Sequence, residues 1–272
     1  MSDAGAFGPL LDAMDDTWQS LIALAESLGP EEFALPTRCP GWDVHDQFAH
    51  VASLEAMLAG GELPPEAPSA PHVRNPVGER MERGVHALRG LPPDELVAAL
   101  RSAVAARRVL LQANPPQPGD VLTGVMGNPV PAERSLPIRV FDLWAHEQDI
   151  RVATGRPGNQ DGPGARVGRD CILMMVPGYW VEDAKATPGQ AFTLRVTGAL
   201  PFERTVVAAD DGTASYVEPD APAPTPDAVV ELDWLDLVAR ANGRAGAELT
   251  PVHVSGDATL AAAMVAALPM SP

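Results

Sequence analysis

At 272 residues with 46% hydrophobic content, the chain can bury one large core or two smaller ones. A formal net charge of −17 argues against gripping nucleic-acid phosphates or an anionic lipid surface, and favours a small-molecule partner. Its two cysteines, Cys39 and Cys171, make no disulfide framework, and Met1-Ser2-Asp3-Ala4-Gly5 does not open like a signal peptide. No apolar run is long enough to span a bilayer. The expectation is a cytoplasmic protein, monomeric or homodimeric, without nucleic-acid or membrane partners.

In chain order, Leu10, Leu11, Met14, Trp18, Leu21, Ile22 and Leu28 recur at helical spacing and stop at Gly29-Pro30. Leu35 to Trp42 is turn-rich. Asp43 then caps a second helix, with Asp46 in its first turn and Phe48, Val51, Leu54, Met57 and Leu58 on its apolar side. Gly60-Gly61 stops it. Val77 to Ala113 is helical apart from a break at Gly90-Leu91-Pro92-Pro93, and Pro115 to Pro131 is a connection. A further helix has Pro137 near its start and ends at Gly155-Arg156-Pro157-Gly158.

After one more helical stretch, Ala165 to Trp180, the period changes to two in Ala191–Val196, Arg204–Ala208 and Val229–Leu232. A short helix follows from Asp233 to Asn242, then a strand at Val252–Val254 and a last helix from Ala258 to Leu268. The expected class is a mainly α N-terminal domain, a four-helix bundle over residues 1–158, followed by a small α+β domain over residues 159–272.

The helix after Pro137 carries the chemistry. Four residues advance about 40° around a helix and seven about −20°, so Asp142, His146 and Asp149 share one face. Two carboxylates and an imidazole on one stripe either stay solvated or meet a cation, and an i, i+4 carboxylate–histidine pair suits a divalent metal. His50, on the side of the second helix shared with Leu54 and Met57, points inward; alone it reads as a packed core histidine. With Asp142 and His146 it makes three ligands from two helices of a bundle, the number used where a metal does chemistry. Zinc suits this set, and nickel, iron or cobalt fit the same ligands. Glu147 lies about 100° from His146 and is the weaker ligand candidate. Cys39 and the tryptophans Trp42 and Trp144 read first as packed residues, His45 as exposed, and His72, His86 and His253 as lacking carboxylate or cysteine partners at ligand spacing.

Two blocks, Cys39-Pro40-Gly41-Trp42-Asp43-Val44-His45-Asp46 with His50, and Arg139 through Asp142, His146 and Asp149 to Arg151, are similar to the signature of the mycothiol-dependent maleylpyruvate isomerase-like proteins. These belong to the DinB-like metal-binding four-helix bundles, and the C-terminal strand–Gly256-Asp257–helix resembles the sterol-carrier-like domain that often follows. The resemblance implies that His50, Asp142 and His146 hold Zn2+ or another divalent metal, with aspartate at 142 where relatives often have glutamate. Asp149 is the expected partner that orients a ligating imidazole. It also implies mycothiol as the low-molecular-weight thiol, activated as a thiolate towards a small-molecule electrophile, in an isomerase or an S-transferase. Arg139 and Arg151 are the candidates for binding a carboxylate of the bound molecules, or else they form ion pairs along their own helix. A zinc hydrolase using metal-bound water, and a hydrophobic-ligand binding protein with a structural metal, are the alternatives.

Overall fold

Gly8–Ser27 forms helix α1, and Met14, Trp18 and Leu21 on its inner face are almost completely buried, as their spacing requires. The computed structural model describes residues 5–218, 220–246 and 250–269, so most of the N-terminal stretch read for a leader lies outside it. A 3₁₀ turn at Pro30–Ala34, which no periodicity announced, is closed by Gly29 donating its N–H to the Glu32 carboxylate at 2.7 Å. Val44–Leu58 is α2, and the Asp43 carboxylate accepts the Asp46 N–H at 2.9 Å, the cap expected from sequence. Pro76–Leu88 (α3) and Pro93–Ala113 (α4) flank the Gly90–Pro92 break.

The 115–131 connection contains a small antiparallel hairpin, Val121–Thr123 (β1) with Pro129–Pro131 (β2). Its strands are too short and too exposed to show an alternating pattern. Helix α5 runs from Ala132 to Thr154, which corrects the expected start: Pro137 lies inside the helix. Its ring removes the N–H that would bond the Glu133 carbonyl, yet the helix continues through it to Thr154. Gly155 ends α5 at φ 65°, a left-handed value that glycine adopts without steric cost.

Helix α2 packs on α4, α3 and α5, and α1 packs on α5 and α4. Phe48, Val51, Leu96, Leu100, Leu136, Val140 and Leu143 fill the space between them together with the inner face of α1. This helical region makes the first of two compact units, which runs to Gly168; the second begins at Arg169. Pro163–Glu182 is α6.

In the second unit Ala191–Thr197 (β3), Phe202–Ala208 (β4), Ala214–Tyr216 (β5), Ala228–Asp233 (β6) and His253–Gly256 (β7) form one sheet in the order β5-β4-β3-β6-β7. Only the β3–β6 pair is parallel. Phe192, Leu194 and Val196 bury one face of β3, while Arg195 stands exposed between its cross-strand partners Glu203 and Glu231. Trp234–Ala241 (α7) and Ala258–Ala267 (α8) complete the unit, each capped by an aspartate, Asp233 and Asp257. Burial pushes the Cys171 thiol up to about 11, with Asp170 adding to the effect, so it is a protonated packing group at neutral pH. Among the described residues no helix is long and apolar enough to cross a membrane.

Candidate metal centre

Helices α2 and α5 lie against each other, and their contact brings together three side chains that are 92 and 96 positions apart or one turn apart in sequence. His50 Nε2 is 3.4 Å from Asp142 Oδ2, His146 Nε2 is 3.4 Å from Asp142 Oδ1, and the two imidazole centroids are 4.4 Å apart. One ligand atom from each residue lies within 4.8 Å of the others. Ligands about 2.0–2.2 Å from a tetrahedral zinc are separated from one another by roughly 3.3–3.5 Å, the separation each histidine keeps from an Asp142 oxygen. Both histidines are buried, at 3% and 6% exposure, whereas a third of the Asp142 side chain is exposed and marks the open side.

Protonation favours the same use. Burial, then the neighbouring His146, lowers His50 to about 4, so its imidazole is neutral at pH 7. Burial would raise Asp142, but His146 and the Arg139 guanidinium outweigh it and hold the carboxyl well below the usual range. A neutral imidazole and an ionised carboxylate are the forms that bind a metal. In the metal-free protein the lowered His50 also has a stability consequence. The unfolded chain takes up a proton near 6.5 and the folded chain only near 4, so stability falls as pH drops through this window. Urea titrations of metal-free protein are expected to lose up to about 3 kcal/mol between these limits, with the slope reduced in His50→Gln.

The Cys39–Trp42 loop walls the site. The Trp42 ring lies 5.1 Å from the His50 ring and 5.9 Å from that of His146. Its indole N–H donates to Glu82 Oε2 at 3.0 Å, and Arg89 donates to Glu82 at 2.8 Å and to both Asp46 oxygens at 2.9 and 3.1 Å. Glu82 also lies 3.0 Å from His72 Nε2, so His72 has a carboxylate partner after all, ten residues away on α3. Gly41, at φ +80°, leaves the space beside the loop that the His72 ring fills. His45 is corrected too: it is half-buried, with its ring bonded to the Leu91 carbonyl at 2.9 Å. Glu82, Arg89 and His72 carry no sequence signal for this role, because Trp42 and Asp46, which Glu82 and Arg89 hold, and the Glu82 partner of His72 each lie on a different element from the residue they meet.

The remaining candidates take other positions. Arg139 is buried with its guanidinium 2.8 Å from Glu55 at two nitrogens and in contact with Asp142. Arg151 donates to Glu147 at 2.7 Å, to Ser20 at 3.0 Å and to the Arg156 carbonyl at 3.1 Å. Both guanidiniums are engaged inside the protein, and the ion-pair reading describes them better than the carboxylate-binding one. Glu147 is fully buried and bound by Ser20, Arg151 and Asn159, away from any ligand role. Asp149 lies 3.9 Å from His146 Nδ1, but Gln47 Oε1 makes the hydrogen bond to that nitrogen. Cys39 is a buried loop residue whose N–H bonds Thr37 Oγ1 at 3.2 Å, and among the described residues the group able to hold a cation consists of His50, Asp142 and His146.

Residues 14–151, slightly over half of the chain, match the family described as the mycothiol maleylpyruvate isomerase N-terminal domain. The chain belongs to this family. The resemblance carried by the Cys39–His50 and Arg139–Arg151 blocks is therefore borne out. The fold is similar to that in the crystal structure of the mycothiol-dependent maleylpyruvate isomerase, at 19% identity and a TM-score of 0.55, covering 90% of this chain and 91% of that one. A histidine-to-alanine mutant of a mycothiol-dependent maleylpyruvate isomerase matches at 20% identity with the same TM-score and coverage. The likeness extends the expected class, a helical N-terminal region followed by a sheet-containing one, over nearly the whole chain. No curated protein matches the sequence.

Proposed function

We propose that this protein is a mycothiol-dependent, divalent-metal-assisted thiol enzyme of the maleylpyruvate isomerase type, an isomerase or an S-transferase acting on a small electrophile. The observation that carries the reading is the convergence of His50, Asp142 and His146 within 4.8 Å at the foot of the Trp42 wall. A divalent cation bound there, zinc being best suited to two imidazoles and a carboxylate, would supply the Lewis acidity that turns a thiol of pKa about 8.5 into a thiolate at neutral pH. His50 and His146 would present neutral nitrogens to it and Asp142 an ionised oxygen, while the indole of Trp42 shields one side from water. The exposed edge of Asp142 is the route by which thiol and electrophile enter.

In the isomerase reaction the thiolate sulfur adds to one carbon of a conjugated cis double bond, leaving a single bond that rotates. Expulsion of the thiolate then restores the double bond as trans, so no atom is gained or lost. In the transferase reaction the carbon that accepted the electron pair is protonated and the thioether is released. The cytoplasm, which keeps small thiols reduced, is the setting for either.

The test is metal analysis of purified protein together with consumption of maleylpyruvate and simple electrophiles, with and without mycothiol. Turnover that requires thiol and is lost on chelation, then regained with zinc, is the expected result. Unchanged turnover after the metal has been stripped would refute the reading. Thiol-independent hydrolysis would show instead that the centre works on water.

A further inference from the structure

His146 is held by a hydrogen-bond chain whose direction can be worked out atom by atom. It begins at the Trp42 carbonyl, which can only accept. Thr37 Oγ1 lies 2.7 Å from that oxygen and must spend its one proton there. The Thr37 oxygen then serves as acceptor for the Cys39 N–H at 3.2 Å and for the Gln47 side chain at 2.9 Å. The Gln47 group facing Thr37 is therefore its NH2, because an amide oxygen there would meet an oxygen with no proton left to give. The other end of the amide, Oε1, contacts His146 Nδ1, and an oxygen can bond that nitrogen only if it carries hydrogen. A neutral imidazole has one N–H. With it placed on Nδ1, the lone pair of Nε2 is left facing Asp142 and His50.

We propose that Gln47 and Thr37 are positioning residues that lock His146 in the Nδ1–H tautomer and so pre-set its Nε2 as a metal donor. The proposal rests on the reading of His146 as a ligand. Gln47 is completely buried, so its amide has no water to turn towards and its orientation is set by Thr37. The Cys39–Trp42 loop thus has two tasks: its tryptophan ring walls the site, and the same residue's carbonyl starts the chain that orients His146. His50 provides the contrast within the same centre. Its Nδ1 is buried and has no hydrogen-bond partner among the described residues, and the hydrogen bond its ring makes is at Nε2, to Asp142 Oδ2 at 3.4 Å, on the side facing the centre itself. Asp149 also faces His146 Nδ1, at 3.9 Å, and is the competing candidate for the role.

The experiment compares metal-free protein labelled with 15N-histidine, read by long-range 1H–15N correlation, with zinc affinity measured by chelator competition. Wild type is expected to show His146 as the Nδ1–H tautomer. Gln47→Leu and Thr37→Val are expected to give mixed tautomers and zinc affinity about 10–100-fold lower, the usual consequence of losing a partner that orients a ligand. Thr37→Ser, which keeps the needed hydroxyl, is expected to remain within about threefold of wild type. Folding of each variant is checked by its thermal transition, and the Thr37 pair alone suffices should Gln47→Leu not fold. An Nε2–H tautomer in wild type, or unchanged tautomer and affinity in folded Thr37→Val and Gln47→Leu, would overturn the proposal. So would a loss confined to Asp149→Asn. Wild type with the expected tautomer but no zinc binding would uphold the chain while refuting the metal reading.

Discussion

His146→Ala is expected to abolish zinc retention through gel filtration and, with it, thiol-dependent turnover. The site has three protein donors among the described residues, and His146 contributes one of only two nitrogens. Loss of an outer partner already lowers metal affinity by about 10–100-fold, so loss of a donor itself should exceed that range. The variant should still fold. His146 is on the polar stripe between α2 and α5, and the apolar packing of α5 rests on Leu136, Val140, Leu143 and Ile150, which are untouched. The Gln47 carbonyl loses its N–H donor, which costs about 1–3 kcal/mol if no water replaces it. Equilibrium dialysis with zinc, alongside turnover and a urea melt, checks all three points. Full zinc occupancy in a folded His146→Ala protein would place the metal elsewhere.

A second large effect is expected at Glu55, on stability rather than chemistry. Glu55 is fully buried on α2 and accepts the Trp18 indole N–H at 3.1 Å and the Arg139 Nε–H at 2.8 Å. Arg107 approaches its other oxygen at 3.8 Å and donates to the Leu58 carbonyl at 2.9 Å. Both arginines are themselves buried, at 7% and 4% exposure, and burial lowers the Arg107 pKa. Glu55→Gln removes the only negative charge of this group apart from Asp142 and leaves a guanidinium uncompensated, which is expected to cost about 3–5 kcal/mol in urea unfolding. Removing Arg107 as well, in Glu55→Leu/Arg107→Met, leaves Arg139 paired with Asp142 and is expected to recover most of that loss, since a buried pair and its apolar replacement are close in stability. A loss below about 1 kcal/mol in Glu55→Gln would mean that water reaches the pair and screens it.

The two predictions also separate two uses of charge on the same helices. Asp142 sits between them: Arg139 contacts it from the Glu55 side, and the imidazoles flank it from the other. Weakening the Glu55–Arg139 pair should therefore leave Arg139 to Asp142 alone, and a fall in zinc affinity of Glu55→Gln would register that shift before any change in the ligands.

Much of this protein was written locally. Helix spacing on α5 put Asp142, His146 and Asp149 on one face without reference to anything else, because a helix fixes the angle between residues one turn apart. The Asp43 cap, the glycine stop at Gly155 and the period-two strands β3, β4 and β6 follow from neighbours a few positions away. What the sequence by itself determined, then, is the long helices, the strands β3, β4 and β6, and the pairing of Asp142 with His146, while the 3₁₀ turn, the β1–β2 hairpin and β5 left no local pattern. The tertiary structure alone decided that Gln47 rather than Asp149 meets the His146 Nδ1, that Glu55 takes up Arg139, and that Glu82 pins Trp42 against the His50 and His146 rings. The physical reason is that a buried side chain bonds whichever complementary group the packing brings within about 3 Å, and between elements that distance is set by how helices nest rather than by separation along the chain.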